Sequence, residues 1–556
     1  MYSSSYIHIA YSIEPKLTAA GSRDSIQNTK YEMKKIHNLI WIALSMVSCA
    51  QAQDVSSKYA SEITVESTQK HLRTLASVDF EGRGTGQKGG QLAADYIANE
   101  FKKYGLSAPV NGTYFQPLRL IHNSFKVKHF SINDRPFLNG KDIFVIGNNE
   151  DKLFESNEII FIGYGIDDPK YSDISGLDLT NKIVLLLNEG EPTDDKGNSW
   201  ITGKKTPSDW STSRNKKIKE ILKKKPKLVL AVNSQLSQLL EDAGDRATEG
   251  RYNLAVDQPA PEKSPMIPVV NITDHAANYI FNLARTNLAA VVGKINRSGQ
   301  ANSFAISTNL KAEFGTNAKP LADPNILGYL EGTDKKDEIV VIGGHYDHDG
   351  KDSKGNIFFG ADDNASGTTA VLELARSFSR AKAAGNGPRR SILFITYAAE
   401  EKGLLGSKFY TENPVFPLAN TIACINIDMI GRVDDKHLKG NHDYIHAIGS
   451  DKLSSELYQI NKDENDKNTK LEIDYMYDNP KDPMRLYYRS DHYNFAKKGI
   501  PSIFYFSGLH PDYHTPADTY DKIDFPLMVK REKLIFFTAW QIANRENRLA
   551  IDSNKE

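Results

Sequence analysis

Histidines and carboxylates stand directly after apolar runs in the second half of this 556-residue chain. His345 follows the run EIVVIG, and Glu400 and Glu401 follow the run SILFITY. Asp428 ends the run IACINID, and His514 follows the run PSIFYF after a short loop. These runs alternate with helical patterns and predict an α/β sheet, whose sites gather at the carboxyl ends of its strands. Imidazole and carboxylate groups on one edge of a sheet are the ligands expected for divalent metals, zinc above all.

The number of ligands indicates two metal ions, Zn²⁺, in each chain. Asp363 lies in the segment GADDNASG, which opens a predicted helix between the first two strands. We expect His345, Asp428 and Asp363 to hold one ion. We expect His514, Glu401 and the same Asp363 to hold the other. Asp363 would then bridge the pair, as two ions about 3.5–4 Å apart require.

Two further carboxylates have roles beside the ligands. Asp347 lies two residues after His345, where its side chain is expected to accept the second imidazole N–H and fix the tautomer. Glu400 is adjacent to a ligand but points elsewhere if the segment is extended. It is therefore free to take a proton from a metal-bound water and return it to a leaving amine, as amide hydrolysis requires. Three neighbouring histidines are interpreted as structural or substrate-facing: His348, His492 and His510.

Five motifs together resemble one protein family, the secreted dinuclear-zinc aminopeptidases. That family also contains glutamate carboxypeptidase II, glutaminyl cyclase and the transferrin receptor. Residues 80–86 (FEGRGTG) resemble its N-terminal segment as well, and the resemblance spans about 60–550 with all metal-ligand positions filled. The motifs are HxD at 345–347, GADDNASG at 360–367, EE at 400–401, NIDMIG at 426–431 and YHT at 513–515.

The resemblance implies both a fold and an activity. The fold is a mixed, mostly parallel sheet flanked by helices, with an inserted α+β or β-rich protease-associated domain. In the family pattern the bridging carboxylate is Asp363 rather than Asp362, Glu400 is the general acid and base, and Tyr513 stabilises the oxyanion. The expected function is an exported zinc-dependent exopeptidase that hydrolyses N-terminal residues from peptides, with Glu400, Asp347 and Tyr513 as its catalytic residues.

Other functions stay open at this point. A carboxypeptidase acting on acidic peptides would need several arginines in its pocket, and Arg485 and Arg489 lie near the predicted site. Tyr487 and Tyr488 could equally line an apolar pocket. A glutaminyl cyclase would use one zinc ion, which the full ligand set disfavours. A non-catalytic receptor would be expected to have lost ligands, and none is missing.

The elements that position these residues indicate four segments. They are a leader at 1–53, a first part of the peptidase domain at 54–130, an insert at 131–302, and the rest of the peptidase domain with its site at 303–550. Strands are predicted at 338–343, 391–397, 422–428 and 501–506, and in the insert at 158–163, 182–187, 227–232 and 267–272. Helices are predicted at 64–75, 366–384, 404–412, 491–498 and 526–544.

Composition and the N-terminus limit partners and location. With 69 Lys and Arg against 70 Asp and Glu, the net charge of -1 disfavours nucleic acid as a partner. We expect translation to start at Met33, because a basic and then an apolar segment follow it as in a secretory signal. Cleavage after Ala52 would release a periplasmic or secreted bacterial protein. Acylation of Cys49 would instead make an outer-membrane lipoprotein, and it is the only route of membrane attachment that the sequence suggests. The partners expected are peptide substrates, and the oligomeric state is left open.

Overall fold

The computed structural model describes residues 55–146, 152–255 and 267–553. Two units are distinguished within the chain, 1–62 and 63–556. Of the first unit, only 55–62 are described, and 55–60 are helical (α1). The predictions on the leader at 1–53 lie outside the described residues. Across the described ranges, no helix has both the length and the apolar character that crossing a membrane requires.

Six of the twelve helices described in the second unit begin at a capping side chain, as the first of them does at Thr64. They are α2 (Val65–Leu75), α3 (Lys88–Lys103), α4 (Asp209–Thr212), α5 (Arg214–Lys223), α6 (Leu236–Ala243), α7 (Asp274–Leu283), α8 (Leu288–Ser298), α9 (Gly367–Ala383), α10 (Leu405–Glu412), α11 (Ser455–Glu464), α12 (His492–Ala496) and α13 (Phe525–Asn544).

The strands fall into an N-terminal and a C-terminal set. The N-terminal set is β1 (Phe115–Ile132), β2 (Arg135–Pro136), β3 (Ile143–Ile146), β4 (Lys152–Phe161), β5 (Asp167–Asp168), β6 (Tyr171–Ser172), β7 (Ile183–Leu187), β8 (Leu228–Val232), β9 (Arg251–Leu254) and β10 (Val269–Ile272). The C-terminal set is β11 (Phe304–Leu330), β12 (Lys335–His345), β13 (Gly350–Lys351), β14 (Ile357–Phe358), β15 (Arg390–Tyr397), β16 (Thr421–Ile427), β17 (Tyr444–Ile448), β18 (Glu472–Asp474) and β19 (Ser502–Phe506).

Most of these strands join one mixed sheet in the order β18-β17-β19-β16-β12-β15-β11-β4-β7-β8-β10-β3. In the C-terminal half, β12 pairs in parallel with β15 and β16, and β16 pairs in parallel with β19. Strands β11 and β17 run antiparallel to their neighbours β15 and β19. The mixed, mostly parallel sheet flanked by helices that the sequence predicts is therefore confirmed.

The long strand β11 connects two separately packed regions of the second unit. Its first half pairs with β4, and its last residues pair with β15. Buried residues around β4, β7, β8 and β10 form two apolar clusters, one on each face of that part of the sheet. A different cluster fills the space between β12, β15, β16 and the helices α10 and α12. The parallel strands of this second region position the candidate site.

Candidate metal centre

Three neighbouring parallel strands deliver most of the predicted site residues to one edge of the sheet. His345 is the last residue of β12 and lies opposite Tyr397, the last residue of β15. Asp428 directly follows β16, the neighbour of β12 on its other side. Glu401 follows β15 by four residues. Because neighbouring parallel strands end at the same edge of the sheet, residues that follow these strands lie close together.

Loops bring the remaining two ligand candidates to the same edge. Asp363 lies in the turn that precedes α9, and the carboxylate of Asp518 accepts its backbone N–H at 3.0 Å. The two oxygens of the same carboxylate accept the backbone N–H of Asp362 at 3.0 and 3.1 Å, so Asp518 fixes the start of the turn. His514 follows β19 in a short loop and has a left-handed backbone conformation, φ 54°.

The ligand candidates form two groups that share Asp363. His345 Nε2 lies 3.4 Å from Asp363 Oδ1 and 3.3 Å from Asp428 Oδ1. His514 Nε2 lies 3.0 Å from Asp363 Oδ2 and 3.2 Å from Glu401 Oε2. Zinc–ligand bonds of about 2.0–2.2 Å at tetrahedral angles would place neighbouring ligand atoms about 3.4 Å apart. The donor types and spacings therefore fit divalent metal ions.

The pKa shifts of the buried site residues indicate that the carboxylates need a positive charge beside them. Burial raises the pKa of Asp363 to about 6 and that of Glu400 well above its ordinary value. Burial would also raise the pKa of Glu401, but His514 beside it holds that pKa well below its ordinary value. Burial opposes protonation of His514, yet Glu401 and Asp363 raise its pKa to about 11. A divalent ion would supply this charge without protonating the imidazole.

Asp347 holds the site together through contacts that differ from the expected one. His345 Nδ1 lies 3.0 Å from the backbone oxygen of Asp347 and 3.8 Å from its carboxylate. That carboxylate instead accepts the backbone N–H of Glu400 at 3.0 Å and the hydroxyl of Thr85 at 3.1 Å. Asp347 therefore orients His345 with its main chain and the two-glutamate segment with its side chain.

His348 is a site residue that the sequence analysis set aside. Its Nδ1 lies 2.8 Å from Glu401 Oε1 and 3.6 Å from Asp363 Oδ2, and the side chain is fully buried. It therefore joins the group of His514 rather than facing substrate. The signal was its place three residues after His345, on the same strand end. Of the other two histidines, His492 stacks on an aromatic ring and His510 lies 3.4 Å from Asp362.

Glu400 and Tyr513 face the same small cavity. Glu400 Oε2 lies 3.9 Å from His345 Nε2, and its side chain is one-tenth exposed. The Tyr513 hydroxyl accepts a hydrogen bond from Arg489 at 3.3 Å. Five apolar side chains also line this cavity, namely Met429, Leu486, Phe504, Phe506 and Leu509. The cavity thus combines a carboxylate, a phenol and an apolar lining next to the ligand groups.

The glycine-rich segment at 80–86 contacts the loops that carry two of the ligand candidates. Arg83 is fully buried and donates to the backbone oxygens of Leu75, Tyr346 and Gly360 at 2.7–2.8 Å. Tyr346 directly follows the ligand candidate His345, and Gly360 lies three residues before the ligand candidate Asp363. Gly82 has φ +70°, and a side chain there would collide with the backbone oxygen of Phe358. Gly82 and Arg83 therefore allow this segment to position two loops of the site.

Comparisons with known proteins agree with this arrangement. The model of peptidase family M28 matches residues 325–539, which carry every ligand candidate. This match runs from the end of β11 to near the end of α13. A probable leucine aminopeptidase of Trichophyton verrucosum (strain HKI 0517) is 32% identical over 228 residues, 40% of this chain and 58% of that protein. A probable glutamate carboxypeptidase of Arabidopsis thaliana is 29% identical over 201 residues, 35% of this chain and 26% of that protein.

Solved structures share the fold across most of the chain. An aminopeptidase from Aneurinibacillus sp. strain AM-1 superimposes with a TM-score of 0.53 at 19% identity, covering 89% of this chain and 98% of that one. A zinc aminopeptidase from Bacillus subtilis gives 0.51 at 19% identity, covering 88% of this chain and 98% of that one. The M28 region and the sheet around it therefore form a fold that these aminopeptidases share.

Proposed function

We propose that this chain is a zinc-dependent aminopeptidase that hydrolyses the first peptide bond of its substrates. The observation that carries the proposal is the sharing of Asp363 between two groups of ligand candidates, with Glu400 facing the cavity beside them. The names of its relatives, leucine aminopeptidase and zinc aminopeptidase, support it.

The ligand groups define where the ions would bind. His345, Asp428 and Asp363 would hold one Zn²⁺, and Asp363, Glu401 and His514 would hold the other. When bound, the ions polarise a carbonyl and lower the pKa of a water molecule. Ser490 donates to Asp428 Oδ2 at 2.7 Å, which orients that carboxylate toward its group.

Glu400 would move the proton that amide hydrolysis requires. Its carboxylate takes a proton from the attacking water, whose oxygen forms the new bond to the carbonyl carbon. The same carboxyl then gives that proton to the amine nitrogen as the C–N bond breaks. Burial raises the pKa of Glu400 well above its ordinary value, which makes its carboxylate a stronger base toward the attacking water. The backbone contact to Asp347 fixes its position.

Tyr513 would stabilise the negative charge that develops on the carbonyl oxygen. Its hydroxyl hydrogen is free to point into the cavity because its oxygen accepts the hydrogen bond from Arg489. Such a donor acts most strongly where the charge of the transition state develops.

The wall of the cavity favours an apolar N-terminal side chain over an acidic C-terminal one. Arg489 is the one arginine in the lining that the described residues provide. Arg485 instead lies over the ring of Tyr488, 4.7 Å from its centroid. Recognition of a substrate glutamate would need more than one arginine directed into the cavity.

A peptide panel tests the proposal directly. The zinc-loaded protein is incubated with peptides that have free or acetylated N-termini, and the products are read by mass spectrometry. We expect stepwise loss of N-terminal residues from the free peptides alone, fastest for leucine-like residues. Loss from the C-terminus would indicate a carboxypeptidase. Pyroglutamate formation with one zinc per chain would indicate a glutaminyl cyclase.

We also propose the processing and domain organisation that the sequence indicates. Residues 131–302 would form a protease-associated insert beside the peptidase region, and the leader would direct export from a bacterial cell. The mass of the mature protein from its native host tests the leader. A start after 52 supports ordinary cleavage, acylated Cys49 supports the lipoprotein, and a retained leader contradicts both.

A further inference from the structure

A second set of metal-type ligands lies outside the proposed catalytic centre. Asp434 and His437 lie in the loop that follows β16, and His446 lies in the middle of β17. One ligand atom from each of the three lies within 4.8 Å of the others. Neither the proposed chemistry nor the cavity of Glu400 uses any of them. The loop after β16 and the strand that follows it thus bring these side chains together without a role in the reaction.

The carboxylate of Asp434 lies between the two imidazoles. Its Oδ2 is 3.0 Å from His446 Nε2, and its Oδ1 is 2.7 Å from His437 Nδ1. Asp434 is 2% exposed and His446 is fully buried, whereas the side chain of His437 is 14% exposed. The group therefore has a dry inner side and one ligand near solvent.

The second nitrogen of His446 distinguishes a metal-bound imidazole from a neutral imidazole that is only hydrogen-bonded to Asp434. His446 Nδ1 is buried, lies 3.4 Å from Asp474 Oδ2, and has no hydrogen-bond partner among the described residues. A neutral His446 that donates Nε2–H to Asp434 would present a bare lone pair to the carboxylate of Asp474. Metal bound at Nε2 removes this conflict, because the ring then carries its hydrogen on Nδ1 and donates it to Asp474. Histidines that bind metals are held in this way by a carboxylate behind the ring.

The surroundings hold the three side chains in place. The ring of His437 stacks on that of Tyr444, with 10° between their planes. The Tyr444 hydroxyl accepts the backbone N–H of Asp434 at 2.8 Å and donates to the backbone oxygen of Ser507. Gly508 has φ +94°, and a side chain there would collide with the Asp434 carboxylate. The group is therefore a fixed feature rather than a chance meeting of surface side chains.

We propose that Asp434, His437 and His446 bind a third Zn²⁺ ion, which ties the loop after β16 to the edge strands β17 and β18. Two imidazoles and one carboxylate are a donor set that zinc accepts, with water in the fourth position. That position lies on the side of His437, which is the ligand nearest to solvent. The role is structural, because the site is separate from the cavity of Glu400 and Tyr513.

Metal content of matched variants tests the third site. His437→Ala removes a partly exposed ligand, and His442→Ala is its control because His442 is an exposed histidine of the same loop. Each protein is stripped of metal, loaded with Zn²⁺, passed through a desalting column and analysed by elemental mass spectrometry. We expect three zinc ions per chain in the wild type and in His442→Ala, and two in His437→Ala, which keeps its peptidase activity. Equal zinc content in all three proteins would overturn the proposal.

A second background separates this proposal from the catalytic one. The double variant His345→Ala/His514→Ala removes one ligand from each group of the catalytic centre and should keep a single zinc ion. Adding His437→Ala should abolish that last ion, together with the rise in melting temperature that Zn²⁺ gives the double variant. A double variant without zinc, or one whose last ion survives His437→Ala, would overturn the third site. A wild type that loses its one zinc with His437→Ala would support the third site and contradict the dinuclear centre.

Discussion

Replacement of Glu400 by glutamine isolates proton transfer from every other property of the site. The side chain keeps its shape, and the backbone N–H of residue 400 keeps its 3.0 Å contact with Asp347. Glu400 Oε2 lies 3.9 Å from His345 Nε2, farther than the 3.3–3.4 Å that separates His345 from the proposed ligands Asp363 and Asp428. The amide can neither accept nor return a proton, so the loss should appear in the chemical step alone.

The size of the effect follows from the role. General acid–base catalysis contributes about 10²–10⁴ in rate, so Glu400→Gln should lower kcat by that factor. This corresponds to about 2.7–5.5 kcal/mol of lost transition-state stabilisation. The value of KM should change little because Glu400 makes no contact that the substrate needs in order to bind.

The assay follows release of the N-terminal residue from a leucyl peptide at saturating zinc, with metal content measured on the same samples. Glu412→Gln is the matched control, since Glu412 is an exposed glutamate at the end of α10. It should retain wild-type kcat. A Glu400→Gln protein with more than about a tenth of wild-type kcat would refute the assigned role. Loss of zinc from that variant would refute the placement of Glu400 outside the ligand groups.

Three further changes test the supports of the site. Tyr513→Phe removes the hydroxyl aimed at the oxyanion and should lower kcat about 10²–10³-fold without changing the metal content; unchanged kcat would exclude that role. Arg83→Met leaves buried carbonyl oxygens without their donors and should lower the denaturation midpoint, because each buried acceptor left unsatisfied costs about 1–3 kcal/mol. Burial lowers the pKa of His71 to about 4, whereas an unfolded histidine titrates near 6.5. The folded protein therefore favours neutral His71. Its contribution to the free energy of unfolding is fully present above pH 6.5 and is lost as the pH falls toward 4, by about 2 kcal/mol at pH 5. The melting temperature of His71→Gln should therefore fall less than that of the wild type between pH 7 and pH 5, and an equal fall would contradict this origin.

The sequence predicts most of the parallel strands because their apolar runs are complete. Strand β12 extends the prediction at 338–343 to Lys335–His345, and β15 and β16 begin within one residue of theirs. Helix α13 likewise begins one residue before the predicted 526. Most residues of these elements are buried, so the local apolar composition agrees with the final environment.

The edge of the sheet is harder to predict from composition. Strand β18 is three residues long and mostly polar, and β17 carries a histidine in its centre. Strand β11 runs for 27 residues through polar segments because β1, β4 and β15 pair with different parts of it. Such pairing is set by distant partners, which no local pattern records.

The same distinction applies to the candidate site. Residues at the ends of strands could be placed by topology alone, as His345 and Asp428 were. The contribution of His348 depends on the direction of a side chain after the strand has ended, and that of Arg83 depends on carbonyls more than 250 positions away. The sequence shows only that His348 lies near the same strand end as His345, and it gives no signal for the contacts of Arg83.

The most direct test of the shared Asp363 is a crystal structure of the zinc-loaded protein with anomalous data collected on both sides of the zinc absorption edge. The account predicts two zinc peaks about 3.5–4 Å apart, each within bonding distance of a different oxygen of Asp363. A single peak at this carboxylate, or two peaks that Asp363 does not bridge, would contradict it.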